Sequence, residues 1–330
     1  MTCERRHSRR VVTPFRSVVR YALVITCFWH LRLLCAITGE QLPQSEFDLL
    51  LVSQVTSISD SEGYVYVLFF NEAYLEKTKS WVCNIQLVDA AVISKTVFIT
   101  SNERTAQNLR NFVEHLHVFA FNAPSSGSPY GTYEYFEITR IRLKIQSTFI
   151  EHGANVFLIE SDSVWLLPVG RYIDEYIATN RDSFIPATDR ESSNPLISAG
   201  FLYVPSSEAM FFKSYYVMYS TNLRKLRGVR GRIHTQDPGE QHLMTKLLHE
   251  YNERVLWLED CNFARGTWYS DRKYRSRCPR PRVIQNNYII SISNKVRRAK
   301  KWKHWFLDMH GTCISIMPNI SRKIDQVIRM

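Results

Sequence analysis

One stretch limits the possible folds more than any other. From Tyr135 the apolar residues Ile138, Ile141, Ile145 and Phe149 recur at helical spacing, and Gly153 stands where a left-handed helix cap is wanted. The all-apolar run Asn155 to Ile159 then predicts a buried strand. A helix feeding such a strand is half of a βαβ unit, which implies a parallel sheet covered on both faces. Immediately afterwards come Glu160, Ser161, Asp162 and Ser163, followed by Val164-Trp165-Leu166-Leu167-Pro168.

Two carboxylates between apolar runs need a reason. On an extended chain, positions i and i+2 point to one side with Cα atoms about 6.5 Å apart, so both can converge on one cation. The carboxyl edge of a parallel sheet is where such folds hold ligands. Carboxylates with two seryl oxygens make a hard oxygen site, suited to Mn²⁺ or Mg²⁺ that keeps waters and takes substrate phosphates. An ordinary polar turn after a strand explains the same residues.

Elsewhere the elements alternate. Tyr64 to Phe70 predicts a buried strand, Glu72 to Gln86 a helix, Thr96 to Thr100 a strand, Thr105 to His117 a helix and Val118 to Phe121 a further strand. Residues 40–62 read as a polar stem, and Pro124 to Gly131 as a surface loop. Asp237-Pro238-Gly239-Glu240 has the form of a capping box for the helix carrying Leu243, Leu247 and Leu248. A chain 45% hydrophobic and 22% charged forms a core, which excludes global disorder and coiled coil.

Charge is unevenly spread. The chain is net +11, yet residues 1–20 hold six Arg against Glu4, and residues 271–330 hold fifteen Lys and Arg against three Asp. Those ends carry +5 and +12, which leaves the middle 250 residues at −6. The first end reads as a membrane address: a basic tail over 1–17, then an apolar stretch over 18–37, the layout of a type II signal anchor with the remainder facing the lumen. Arg20, His30 and Arg32 interrupt that stretch, so a signal peptide cleaved near Gly39 is the alternative, giving a secreted form. Either way the body, 63–330, is exported. Cys83, Cys261, Cys278 and Cys313 are an even number suited to an oxidising compartment, and Cys261 with Cys278 flank a loop-like segment suited to a disulfide. Asn319-Ile320-Ser321 is a glycosylation sequon compatible with a lumenal C-terminus. Aromatic interleaving is sparse in the basic C-terminus, so no nucleic-acid partner is expected.

Several motifs in order resemble the nucleotide-diphospho-sugar transferase domain found in plant wall arabinosyl- and xylosyltransferases. They are Lys144, Gly153 and Glu160-Ser161-Asp162-Ser163-Val164-Trp165, then Ser198-Ala199-Gly200-Phe201-Leu202-Tyr203, Glu240-Gln241, and Gln285-Asn286-Asn287 through Lys295 to Trp305. The likeness spans about residues 64 to 310. It departs from the family pattern at Glu160 for Asp, Ser198 for Asn, Gln285 for His and Ser291 for Gly.

The resemblance implies a glycosyltransferase A-type α/β fold, a mixed and mostly parallel sheet with helices on both faces. It implies transfer of a sugar from a nucleoside diphosphate, UDP, to a hydroxyl of a glycan or glycoprotein in the Golgi or ER. Glu160, Asp162 and Gln285 would hold Mn²⁺ or Mg²⁺. Phe70, Asn71, Lys144, Glu160, Ser161, Asp162, Gly200, Asn287 and Lys295 would contact the donor, with Asp162, Glu240 and Gln241 catalytic. Core packing explains Phe70 equally well, and capping explains Glu240. The departures also allow a non-catalytic relative that binds a nucleotide or glycan.

Overall fold

The computed structural model describes residues 44–121, 128, 130–190, 195–229, 231, 233 and 239–314. The basic tail, the proposed anchor, Asp237 of the expected capping box and Asn319 lie outside them. The chain divides into two units, Met1–Leu50 and Leu51–Met330, and every strand lies in the second. Among the described residues no helix is long and apolar enough to cross a membrane.

The elements follow in the order α1 (Gln44–Glu62), β1 (Val65–Phe70), α2 (Leu75–Val88), α3 (Ala91–Ser94), β2 (Thr96–Thr100), α4 (Glu103–Arg110), β3 (His117–Ala120), α5 (Tyr133–Glu151), β4 (Val156–Ile159), β5 (Ser163–Trp165), α6 (Gly170–Ala178), β6 (Ile185–Arg190), β7 (Leu196–Val204), α7 (Ala209–Lys225), α8 (Glu240–Glu250), β8 (Phe263–Ala264), α9 (Arg272–Arg277), β9 (Val283–Gln285) and α10 (Ile292–Lys301). Six strands form a sheet in the order β3-β2-β1-β4-β7-β6. The first four run parallel, and β7 lies antiparallel between β4 and β6. The apolar runs predict its parallel part, and the mixed, mostly parallel α/β sheet is what the resemblance implies. Successive residues of β1 and β4 are buried, as a sheet covered on both faces requires. Tyr66, Phe157 and Phe201 sit in its core with Trp81 and Trp165.

Local chemistry sets the boundaries. Thr132 caps α5 by accepting from the Tyr135 N–H, and Gly153 follows that helix with φ of 91°, a conformation costly for any residue with a Cβ. Two expectations are corrected. The predicted polar stem is helical from Gln44, and its buried Leu51, Val55 and Ile58 fall at i, i+4 and i+7, a stripe diluted in the sequence by the polar residues between them. The helix predicted to reach His117 stops at Arg110, whose guanidinium turns back to the Val118 carbonyl at 2.7 Å and so ties the helix end to β3.

A second, three-stranded sheet, β5-β9-β8, stands beside the first. The chain leaves β4 at Ile159, turns through 160–162 and enters β5, which pairs antiparallel with β9 so that Ser163 faces Gln285. The Glu160-Ser161-Asp162 segment therefore lies in the corner between the two sheets. Because β1, β2 and β4 are parallel, Asn71, Thr100 and Glu160 stand at the same edge. Two disulfides close the far segment: Cys261–Cys278, as expected, and Cys83–Cys313, which ties α2 to a position 230 residues away.

Candidate functional site

The corner is a turn rather than an extension of β4. Ser163 donates its N–H to the Glu160 carbonyl at 3.2 Å and its hydroxyl to the same oxygen at 2.9 Å. An i to i+3 turn abolishes the shared direction that i and i+2 would have on a strand, and the two carboxylates take different partners.

Asp162 points into a cleft also lined by Lys77, Ser161, Asn286 and His304. It is only 5% exposed and pairs with the Lys295 ammonium. Asn286 organises this face: its N–H donates to the Asp162 carbonyl at 2.8 Å, its Nδ2 to the Lys295 carbonyl at 2.9 Å, and its Oδ1 accepts from Arg298 Nε at 2.5 Å. Burial alone would raise the Asp162 pKa, but Lys295, Lys77 and Arg298 outweigh it and hold the carboxyl below its usual range. Burial would likewise lower Lys295, and Asp162 reverses that. Lys77, on α2, is also 5% exposed, yet it forms no hydrogen bond or ion pair with any described residue. Burial pushes it down to about 8 against the pull of Asp162, with Lys295 and Arg298 adding to the fall.

Glu160 turns the other way. Its Oε1 lies 3.4 Å from Arg142 of α5, and the same guanidinium pairs with Glu240 at the start of α8. A Cβ on Gly200 would fall on the Glu160 carboxyl group, so β7 needs glycine there for this side chain to seat. Burial first, and then the Asp162 charge, push Glu160 up to about 7. Behind the turn, Ser198 donates to Gln285 Oε1 at 2.7 Å, and Gln285 Nε2 is buried without a partner.

A model of the nucleotide-diphospho-sugar transferase family matches residues 91–299, more than half of the chain. The chain belongs to this family. Over 205 residues it is 23% identical to the UDP-D-xylose:L-fucose α-1,3-D-xylosyltransferase 3 of Arabidopsis thaliana, covering 57% of this chain and 52% of that protein. It thus spans about half the length of the curated relative it matches. Among solved structures, the glycosyltransferase GlyE of Streptococcus pneumoniae is similar over 81% of this chain and 63% of its own, with 12% identity and a TM-score of 0.47. Mouse xyloside xylosyltransferase 1 is similar over 69% and 99%, with 12% identity and a TM-score of 0.41.

Within this transferase-family chain the fold gathers Glu160, Ser161, Asp162, Gly200, Glu240, Gln285 and Lys295 around the corner. Asn71 ends β1 at the same edge, with its Oδ1 buried and unpartnered, as is the Thr100 hydroxyl at the end of β2. Phe70 belongs to the core. Trp165 is fully buried there as well. Three of the expected site residues have other surroundings or partners here. Lys144 is exposed; Arg142, about 200° around α5, is the helix cation that enters the site. Asn287 spends its Oδ1 on the Gly266 N–H, so Asn286 is the asparagine facing the cleft. Gln241 is half-buried in the first turn of α8, bonded through its carbonyl to Thr245 Oγ1 at 2.8 Å. The N-cap of α8 is Gly239, which gives no side-chain bond, so Glu240 serves Arg142 rather than a capping box.

Lys77 and Arg142 escaped the sequence motifs, while Asn286, Arg298 and His304 lie within the motif from Gln285 to Trp305 but carried no expected role. For Lys77 a signal existed: with Trp81 and Asn84 it falls at i, i+4 and i+7, the buried face of α2. A lysine on such a face is exceptional.

Glu160, Asp162 and Gln285 do not fit a divalent ion as they stand. Asp162 is held by Lys295, Glu160 faces Arg142, and the Gln285 carbonyl oxygen is taken by Ser198. Three carboxylates, Glu160, Asp162 and Glu240, stand among four cations, Lys77, Arg142, Lys295 and Arg298. Positive charge is already in surplus, the reverse of an ion-binding oxygen cage. Among the described residues no group of three His, Cys, Asp or Glu could hold a metal.

Proposed function

We propose that this protein transfers a sugar from a nucleoside diphosphate donor, a UDP-sugar, to a hydroxyl group of a glycan or glycoprotein. Family membership supports the donor class. The observation that carries the reading is the buried cleft lined by Asp162 and Lys77, with Lys295 and Arg298 acting on Asp162, at the carboxyl edge of the parallel strands, where α/β folds bind ligands. When the bond from the sugar carbon to the diphosphate breaks, its electron pair goes to the diphosphate, and that oxygen must be stabilised. Lys295 and Arg298 converge where this charge would grow. The acceptor hydroxyl forms the new bond, and its proton passes to the departing diphosphate or from there to water. The unpartnered Asn71 Oδ1 and Thr100 hydroxyl, at the ends of β1 and β2, suit the polar edge of a nucleoside.

The relative's name makes UDP-xylose the first donor to try. The basic tail and apolar stretch at 1–37 support a type II anchor with the catalytic unit in the Golgi or ER lumen, or a secreted form if the segment is cleaved. The two disulfides suit that compartment.

A second reading is a relative that binds nucleotide or glycan without turnover, favoured by the ion pairs engaging both Glu160 and Asp162. The test incubates the full-length protein with a panel of nucleotide sugars and measures free nucleoside diphosphate. Release from one donor, lost in Asp162→Ala, supports the transferase. Binding of UDP with no release from any donor supports the second reading, and full activity in Asp162→Ala overturns the site.

A further inference from the structure

The surplus of cations around Asp162 has a chemical direction. A diphosphate brings at least two negative charges; Lys77 lines the cleft, and Lys295 and Arg298 act with it on the Asp162 carboxylate. Lys295 lies over the Tyr74 ring at 5.8 Å, while Arg298 rests on the Tyr269 ring at 4.6 Å and is held by Asn286. These side chains are fixed by their surroundings rather than dangling in solvent. Lys77 differs from both. It is 95% buried, it lines the cleft, and no described residue accepts a hydrogen bond from it. A buried, unpartnered ammonium is costly unless an anion completes it.

We propose that this chain neutralises the donor diphosphate with its own side chains, Lys77, Lys295 and Arg298, in place of a divalent ion, with Lys77 completed by a phosphate oxygen. The proposal rests on the donor reading above and names how that site binds its anion. Three observations converge on it. Lys295 occupies the carboxylate that a metal would need, so a divalent ion would have to displace it. Glu160, the second expected ligand, is turned to Arg142 by the Glu160–Ser163 turn. Gln285, the third, has its oxygen engaged by Ser198, and what it has left is a buried, unpartnered N–H donor. A donor with no acceptor suits an anion and repels a cation.

The test is calorimetry on the full-length protein with three probes, UDP, uridine and inorganic pyrophosphate, each in EDTA and in Mn²⁺. The expected result is UDP binding of equal affinity in both, with Lys77→Met weakening UDP and pyrophosphate about tenfold or more while leaving uridine unchanged, the loss of one charge-assisted hydrogen bond. Lys77→Arg should restore most of the affinity by keeping the charge. UDP binding that vanishes in EDTA and returns with Mn²⁺ overturns the proposal and leaves the donor reading intact. So does a Lys77→Met protein that binds UDP as tightly as the parent, or that loses UDP and uridine alike. Should Lys77→Met fail to fold, the EDTA comparison on the parent protein decides alone. Metal-free, Lys77-dependent binding of pyrophosphate with no binding of any nucleotide would overturn the donor reading instead, and no binding by any probe would overturn both.

Discussion

Two regions build the cleft by different physical means. The first, β1 to β7 with α2 and α5, is held by burial: Tyr66, Trp81, Phe157, Trp165 and Phe201 are almost wholly removed from water. The second, residues 261–314, is poor in regular structure and is held by cross-links, ring contacts and side-chain bonds to backbone. Arg275 lies over the Trp302 ring at 5.2 Å, Phe306 N–H donates to Ser80 Oγ at 2.9 Å, and Cys313 is joined to Cys83. The first region places carboxylates at a sheet edge, and the second brings cations back to meet them across 133 residues, as Lys295 does with Asp162. Apolar burial makes a scaffold. The specific bonds of the closing segment make the charge arrangement.

Perturbing each region should separate these roles. The largest effect is expected from Trp165→Ala, which opens a cavity between Tyr66, Trp81 and Phe201 and should cost about 3–5 kcal/mol in urea unfolding. A loss below ~1 kcal/mol would mean that the core does not carry the scaffold. Next comes the Cys83→Ser, Cys313→Ser pair, with an expected loss of ~2–4 kcal/mol. Here the comparison sharpens, because UDP affinity should fall at temperatures where the sheet is still folded. Coincident loss of both signals would erase the distinction between the regions.

A smaller effect belongs to the joint between them. Gly200→Ala puts a methyl group onto the Glu160 carboxyl and should destabilise by ~1–3 kcal/mol. Pairing it with Glu160→Ala should recover much of that loss, and two fully additive losses would refute the contact. The effect at neutral pH is smallest for His304. Burial pushes its pKa down to about 4 from 6.5, so between those values the unfolded chain binds the extra proton. Stability from this group is complete above pH 6.5 and drains away as pH falls towards 4. Replacing it, His304→Gln, should flatten that part of the stability–pH curve; an unchanged slope would show that His304 is not its source.

The two regions were also unequally legible in the sequence. The strands of the first announce themselves because both faces are buried, and continuous apolar runs such as Val156–Ile159 have few other uses. Gly153 at positive φ ends α5 where a chain feeding a strand must turn. The site was harder to read because its geometry depends on one turn. Glu160 and Asp162 would point together on a strand, and the Ser163 N–H bond to Glu160 sends them apart. Lys144 and Arg142 are two residues apart on one helix, and only packing decides which faces inward. The Cys83–Cys313 link was hidden by a separation of 230 residues, whereas Cys261–Cys278, separated by 17, stood within one loop-like segment.

The central claim is that a nucleoside diphosphate binds against Lys295 at the rim of the parallel strands. Titration of UDP into full-length protein and into Lys295→Met tests it most directly, with uridine as control. The account predicts binding by the parent, at least about tenfold weaker UDP binding by the variant, and equal uridine binding by both. UDP affinity unaltered by Lys295→Met, or no UDP binding by the parent, would contradict it.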